Sequence, residues 1–85
     1  MSQEVQIGTV SDFFSKPVVA GIELTADLKV GDKLHITGHT TNIELVVESM
    51  QIENRNVAQA KVGDAVGIRV PSRVRRGDKV FKVTE

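Results

Sequence analysis

Val47-Glu48-Ser49-Met50-Gln51-Ile52, with Ala60-Lys61-Val62-Gly63-Asp64-Ala65-Val66-Gly67 close behind it, carries the reading of this chain. The first run belongs to a stretch over 43–53 rich in β-branched and apolar residues, which predicts a strand. The second passes through a Gly-Asp pair into Val66, Ile68 and Val70. These alternate with Gly67 and Arg69, so they share one face of a strand over 65–71. Asn54-Arg55-Asn56 is a polar loop between the two.

The same signals recur on either side. Val30-Gly31-Asp32-Lys33-Leu34 and Arg76-Gly77-Asp78-Lys79-Val80 repeat the form of Val62-Gly63-Asp64-Ala65-Val66. Glycine admits a positive φ and aspartate accepts a local backbone hydrogen bond, so one turn geometry is expected three times, each delivering the chain into a strand. The spacings of 32 and 14 residues exclude a solenoid repeat. Leu34 and Ile36 point one way while Lys33, His35 and Thr37 point the other. Strands are predicted at 5–14, 18–25, 33–38, 43–53, 65–71 and 79–84. Ser15-Lys16-Pro17 separates the first two, Gly38-His39-Thr40-Thr41-Asn42 precedes the fourth, and one short turn is expected around 25–28. No segment has a sustained helical period. Six strands in one domain, 1–85, predict an all-β fold. The expected form is a small closed six-stranded barrel of Greek-key type, because closure removes exposed edges, with a two-sheet sandwich as the alternative.

A chain of 85 residues buries only ~60–65% of its unfolded surface, so its core is thin. Cysteine is absent, which excludes disulfide staples and thiolate metal sites and fits a cytoplasmic protein. No apolar run approaches the ~18 residues of a membrane span, so no membrane partner is expected. Met1-Ser2-Gln3-Glu4-Val5 lacks the pattern of a secretory signal. Formal net charge is zero, yet residues 1–68 carry a balance of −4 and residues 69–85 one of +4. Such polarity suits an anionic partner.

The basic end supplies the main candidate site. Arg73-Val74-Arg75-Arg76, with Arg69 nearby, can clamp phosphates through planar guanidinium forks. The bland reading of the same run is a solvated loop that balances the acidic remainder. Tryptophan and tyrosine are absent, which argues against base stacking on aromatic platforms. Phe13 and Phe14 point to opposite faces of their strand, so at least one packs in the core and the other is free for a contact. His35 and His39 lack a third ligand for zinc, and His39 stands in a loop where it can touch a partner. No nucleophile, base and orienting group assemble among the serines and aspartates, so no enzymatic activity is expected. Arg76-Gly77-Asp78 spells an adhesion tripeptide, but its two sibling turns explain it as a turn.

Five fragments together resemble the second, β-barrel domain of translational GTPases of the elongation factor Tu type. Gly8-Thr9-Val10 is similar to its first-strand G-x-V, and Leu28 to Gly38 to its L-x-V-G-D-x-L/V-x-I-x-G. Val47 to Ile52 is similar to V-x-S-φ-E/Q-φ, where φ is apolar, and Ala60 to Gly67 to A-x-x-G-D-x-V-G. Val74 to Val80 is similar to the closing V-x-R-G-x-V turn. The phosphate loop G-x-x-x-x-G-K-S/T is missing, and Ala26 stands where a turn glycine is common. Gly38-His39-Thr40-Thr41 and Glu48 to Glu53 resemble stand-alone translation elongation factor-like proteins of prokaryotes. A related barrel resembles the C-terminal part of some collagenase-like peptidases of the U32 type. The first resemblance implies that Gln51 faces a ligand such as the 3′ end of tRNA. The expectation is therefore a non-catalytic binding module, without cofactor and monomeric or weakly oligomeric. It would contact tRNA, rRNA or a ribonucleoprotein through Arg69, Arg73, Arg75 and Arg76, with Gln51 and His39 adding polar contacts. The alternative is a protein–protein adaptor, or an accessory subunit that serves a peptidase or GTPase in trans.

Overall fold

In the computed structural model, which describes residues 3–15 and 18–84, all regular structure is strand. Seven strands, β1 (Gln3–Ser15), β2 (Val18–Leu24), β4 (Lys33–Thr37), β5 (Asn42–Val46), β6 (Met50–Ile52), β9 (Ala65–Arg69) and β10 (Lys79–Thr84), match the predicted segments. Three short ones were not expected: β3 (Leu28–Lys29), β7 (Arg55–Val57) and β8 (Gln59–Ala60). The pairing β1–β2 runs out to Ser15↔Val18; the expected Lys16-Pro17 turn lies outside the described residues.

Eight strands form one antiparallel sheet in the order β5-β4-β10-β1-β2-β9-β6-β7, and β3 and β8 form a second, two-stranded one. Inward residues from β1, β2, β4, β6, β9 and β10 meet in a single core that includes Ile7, Ile22, Leu34, Ile36, Met50, Ile68 and Val80. A flat sheet cannot bring strands from both halves together, so this sheet is strongly curled. β1 makes the bend: it pairs with β10 along its first half and with β2 along its second, with register shifts between Gln6 and Gly8 and between Val10 and Asp12. Each shift inserts an extra residue, which kinks the strand and raises its twist. A side chain on Gly8 would lie 2.7 Å from the Glu23 carbonyl oxygen, so the close crossing of β1 over β2 requires glycine.

The all-β expectation therefore holds, but among the described residues no sheet closes into a barrel, and the six-stranded closed form is corrected to an open, curled one. The reason lies in 43–53. Val47 N–H donates to the Asp32 carbonyl at 2.9 Å and Val47 C=O accepts from Gly31 at 2.8 Å. These bonds, and a buried Val47 side chain, break the expected strand in two. β5 pairs with β4 at one end of the sheet, and β6 pairs with β9 and β7 at the other. Glu53 (φ 51°) and Asn54 (φ 66°) join β6 to β7 in a two-residue hairpin with both central φ positive, the geometry of a type I′ turn.

The three Gly-Asp turns share one geometry, as the sequence implied. Gly31, Gly63 and Gly77 have φ of 99°, 91° and 90°. Asp32, Asp64 and Asp78 N–H donate to the carbonyls of Lys29, Lys61 and Arg75, and their carboxylates accept back from the N–H of those residues at 3.0, 2.9 and 2.8 Å. The residue before each glycine keeps a negative φ, so these are type II turns with glycine at the third position. Each also grips one core residue of another segment. Gly31, Gly63 and Gly77 N–H donate to the carbonyls of Val47, Leu24 and Val10, whose own N–H groups donate to the carbonyls of Asp32, Asp64 and Asp78. The turns thus satisfy backbone groups where segments leave the main ladder.

Candidate functional site, a glycine-floored trough

Asp12, Gly21, Gly67, Gln51 and Asn56 are successive register partners across β1, β2, β9, β6 and β7. Ala20 and Ile22 flank Gly21, and Val66 and Ile68 flank Gly67. All four are in the core, so the two glycines face outward. Two adjacent strands therefore present bare backbone, and a trough of about 510 Å³ lies over them. Phe14, 53% exposed, and Val19 stand on one side, and Gln51, Glu53 and Asn54 on the other. Missing side chains let a ligand or another backbone approach closely.

The predicted contact residues are distributed around this face unevenly. Gln51 lines the trough and its amide donates to Asn56 Oδ1 at 3.0 Å. Arg69 follows Gly67 by two residues on the same face of β9. Arg76 reaches Asp12 at 3.4 Å, on the opposite rim from Gln51. Arg73 is held over the Phe13 ring, 5.9 Å from its centroid, and Phe13 packs on the core while Phe14 is exposed. Arg75 is exposed, and its backbone serves the third turn. Arg73 and Arg76 thus meet different partners, the Phe13 ring and the Asp12 carboxylate. His39 sits in the loop joining β4 and β5, beside Gly38, which packs against the Asp78 carboxylate. Phe14 is the exposed member of the Phe13–Phe14 pair that the sequence left free for a contact, whereas Asp12 and the Gly21–Gly67 floor were not singled out as a site. Their types are unremarkable in isolation, and only the strand register brings them side by side.

His35 forms a separate polar cluster. Its Nε2 lies 2.6 Å from Asn42 Oδ1, and its Nδ1 lies 2.9 and 3.0 Å from the two Glu4 carboxylate oxygens. Two acceptors on one ring favour the doubly protonated form. The Asn42 and Glu4 hydrogen bonds raise its pKa above the ordinary 6.5, with the charges of Glu4 and Glu44 adding to the effect. Among the described residues no group of three or more His, Cys, Asp or Glu is placed to hold a metal ion, and no helix is long and apolar enough to cross a membrane.

No family model matches the chain. It is 45% identical over 84 residues to a protein of Methanocaldococcus jannaschii described as an uncharacterized protease, an alignment covering 98% of this chain and 21% of that protein. It is 33% identical over 82 residues to a collagenase of Porphyromonas gingivalis, covering 94% of this chain and 20% of that one. The chain thus spans about a fifth of the length of the curated relatives it matches. Its fold superimposes with a TM-score of 0.85 on the C-terminal domain of a Geobacillus thermoleovorans protein described as a U32 peptidase, at 18% identity and covering 91% of this chain and 90% of that one. The selenomethionine variant of the same domain gives 0.84 at 16% identity, over 89% and 96% of the two chains.

These findings correct the translation-factor reading. The relatives are named proteases and collagenases, and the fold neighbours are peptidase C-terminal domains. The expectation of an elongation factor-like, RNA-binding module falls with it, and the expectation of a chain without enzymatic activity is overturned by relatives named as a protease and collagenases. The turn and strand motifs that carried the resemblance describe a β-scaffold, and a scaffold does not fix function. The 85 residues align with about a fifth of each of these longer proteins, which are named as a protease and a collagenase.

Proposed function

We propose that this chain, as a single domain over 1–85, is the accessory β-domain of a U32-type peptidase and works with the peptidase's remaining regions in polypeptide hydrolysis. The observation that carries this is the 45% identity to an archaeal protease along 98% of the chain. The glycine-floored trough is the proposed face toward the rest of the enzyme. Phe14 offers apolar area, Gln51 an amide, and Asp12 and Arg76 a charged pair at the rim, a mixture that suits a protein surface.

The test uses the Methanocaldococcus protein. Deleting the segment that aligns with this chain lowers hydrolysis of gelatin, and adding the 85-residue chain in trans restores part of it. Phe14→Asp in the added chain weakens the restoration, and the complex persists in high salt and after nuclease treatment. Unchanged hydrolysis after deletion, or a complex dissolved by nuclease, overturns the reading.

A further inference from the structure

The open sheet leaves one edge with a definite hydrogen-bonding pattern. β5 pairs with β4 alone, in the register Thr37↔Asn42 to Lys33↔Val46. Just beyond its ends, Gly38 N–H donates to Thr41 C=O and Val47 N–H to Asp32 C=O. Bonded and non-bonded pairs alternate in an antiparallel ladder, so the bonded pairs between these two are Ile36↔Ile43 and Leu34↔Leu45. Asn42, Glu44 and Val46 therefore turn their N–H and C=O groups to the outer edge.

That edge borders a groove of about 600 Å³, lined on one side by Glu44, Leu45 and Val46 and on the other by Arg69, Val70 and Pro71, with Glu48 and Ser49 between them. The far wall cannot complete the ladder: Val70 N–H is already bonded to Val18 C=O at 3.2 Å, and Pro71 has no N–H. Val46 is 53% exposed, and Ile43 and Leu45 pack on the core while only partly buried. On the interior strands β2, β4 and β9, by contrast, Ala20, Ile22, Leu34, Ile36, Val66 and Ile68 are almost completely covered. One side of the core is thus open beside a row of unpaired backbone groups. Natural sheets normally cover or blunt such an edge.

We propose that this groove binds an extended polypeptide by strand addition to β5, and that the strand is the substrate of the peptidase. The backbone of Asn42, Glu44 and Val46 supplies the ladder, and alternate apolar side chains of the guest cover the half-buried Leu45. Glu44 is paired with Lys33 Nζ at 3.4 Å, so Glu48, which has no ion pair among the described residues, is the carboxylate that meets a basic side chain of the guest at an intervening position. The identity of the strand as substrate rests on the peptidase reading; the strand addition itself rests on the edge geometry.

The test uses the 85-residue chain and an acetylated, amidated octapeptide of alternating lysine and valine. Amide exchange is followed residue by residue. Without peptide, Glu44 and Val46 exchange fast and Ile43 and Leu45 slowly. With peptide, protection rises at Glu44 and Val46. Val46→Pro removes an outward N–H without touching the β4 ladder and lowers affinity about tenfold, since it loses one hydrogen bond and crowds the guest backbone. Glu48→Lys lowers it independently of any backbone change. Absence of protection at millimolar peptide, or binding indifferent to both variants, overturns the proposal. Protection that rises with protein concentration alone assigns the edge to a second copy and overturns it too. None of these readings uses proteolysis, so a failed gelatin assay removes only the naming of the strand as substrate.

Discussion

Gly38 and Asp78 pose the sharpest test of how this fold is held. Asp78 is 5% exposed, and its carboxylate accepts the Arg75 N–H at 2.8 Å. A Cβ on Gly38 would stand 2.6 Å from the Asp78 Cγ. Carbon atoms rest at about 3.5–4.0 Å, so in Gly38→Ala the carboxylate must retreat by roughly 1 Å. Retreat breaks a charge-assisted hydrogen bond worth about 1.5–3 kcal/mol. With residual crowding, Gly38→Ala is expected to cost about 2–4 kcal/mol. A domain of this size holds roughly 4–13 kcal/mol in total, so the variant loses a large share, and Tm falls by roughly 10–25 °C. The assay is urea unfolding followed by far-ultraviolet circular dichroism. Asp78→Ala alone costs about 1.5–3 kcal/mol through the same lost bond. Because it also removes the obstacle, the double variant is expected to match Asp78→Ala alone, which makes the two changes strongly non-additive. Gly31→Ala is the control: nothing lies within 4 Å of its Cβ, so only its φ of 99° opposes a side chain. It should cost about 1–2 kcal/mol and add independently to Gly38→Ala. If the costs of Gly38→Ala and Asp78→Ala simply sum, the close approach is not what fixes residue 38.

Other outcomes follow from the same structure. His35 binds its proton more tightly folded than unfolded, so its contribution is complete below pH 6.5 and is lost as pH rises through its raised folded pKa. The urea midpoint should fall over that window, and His35→Phe should remove the fall; an equal slope in the variant refutes the Glu4–His35–Asn42 account. Leu34 is fully buried, and Leu34→Ala should cost about 2–5 kcal/mol by denaturant unfolding. Glu53→Asn with Asn54→Gly places the preferred pair in the β6–β7 hairpin, where both φ are positive. It should add about 1 kcal/mol, and a loss in thermal melts would contradict the type I′ assignment.

Much of the scaffold was legible because its signals are local. Alternation at Leu34 and Ile36, and at Val66, Ile68 and Val70, is a property of neighbouring residues, and all five are buried as the pattern implied. The repeated Gly-Asp pair specified a turn within four residues, and all three turns share it. The split at Val47 was hidden because β-branched composition over 43–53 reports strand propensity, not pairing partner. Val47 leaves the strand for contacts with Gly31 and Asp32, which lie 15 or more residues away in sequence. That split, which sends β5 and β6 to opposite ends of one sheet, keeps the barrel open.

The candidate site was less legible still. Gln51 and the arginines stood out by type and by motif, but the trough is made by Gly21 beside Gly67, and the outward edge by the hydrogen-bond phase of β4 and β5. The sequence by itself determined most of the longer strands, the three turns and the faces that turn inward, because side-chain alternation and glycine stereochemistry act over a few residues. Only the tertiary structure decided which strands pair, where the sheet stays open and which bare backbone lies exposed. Those depend on register, and register is a relation between segments that no single segment encodes.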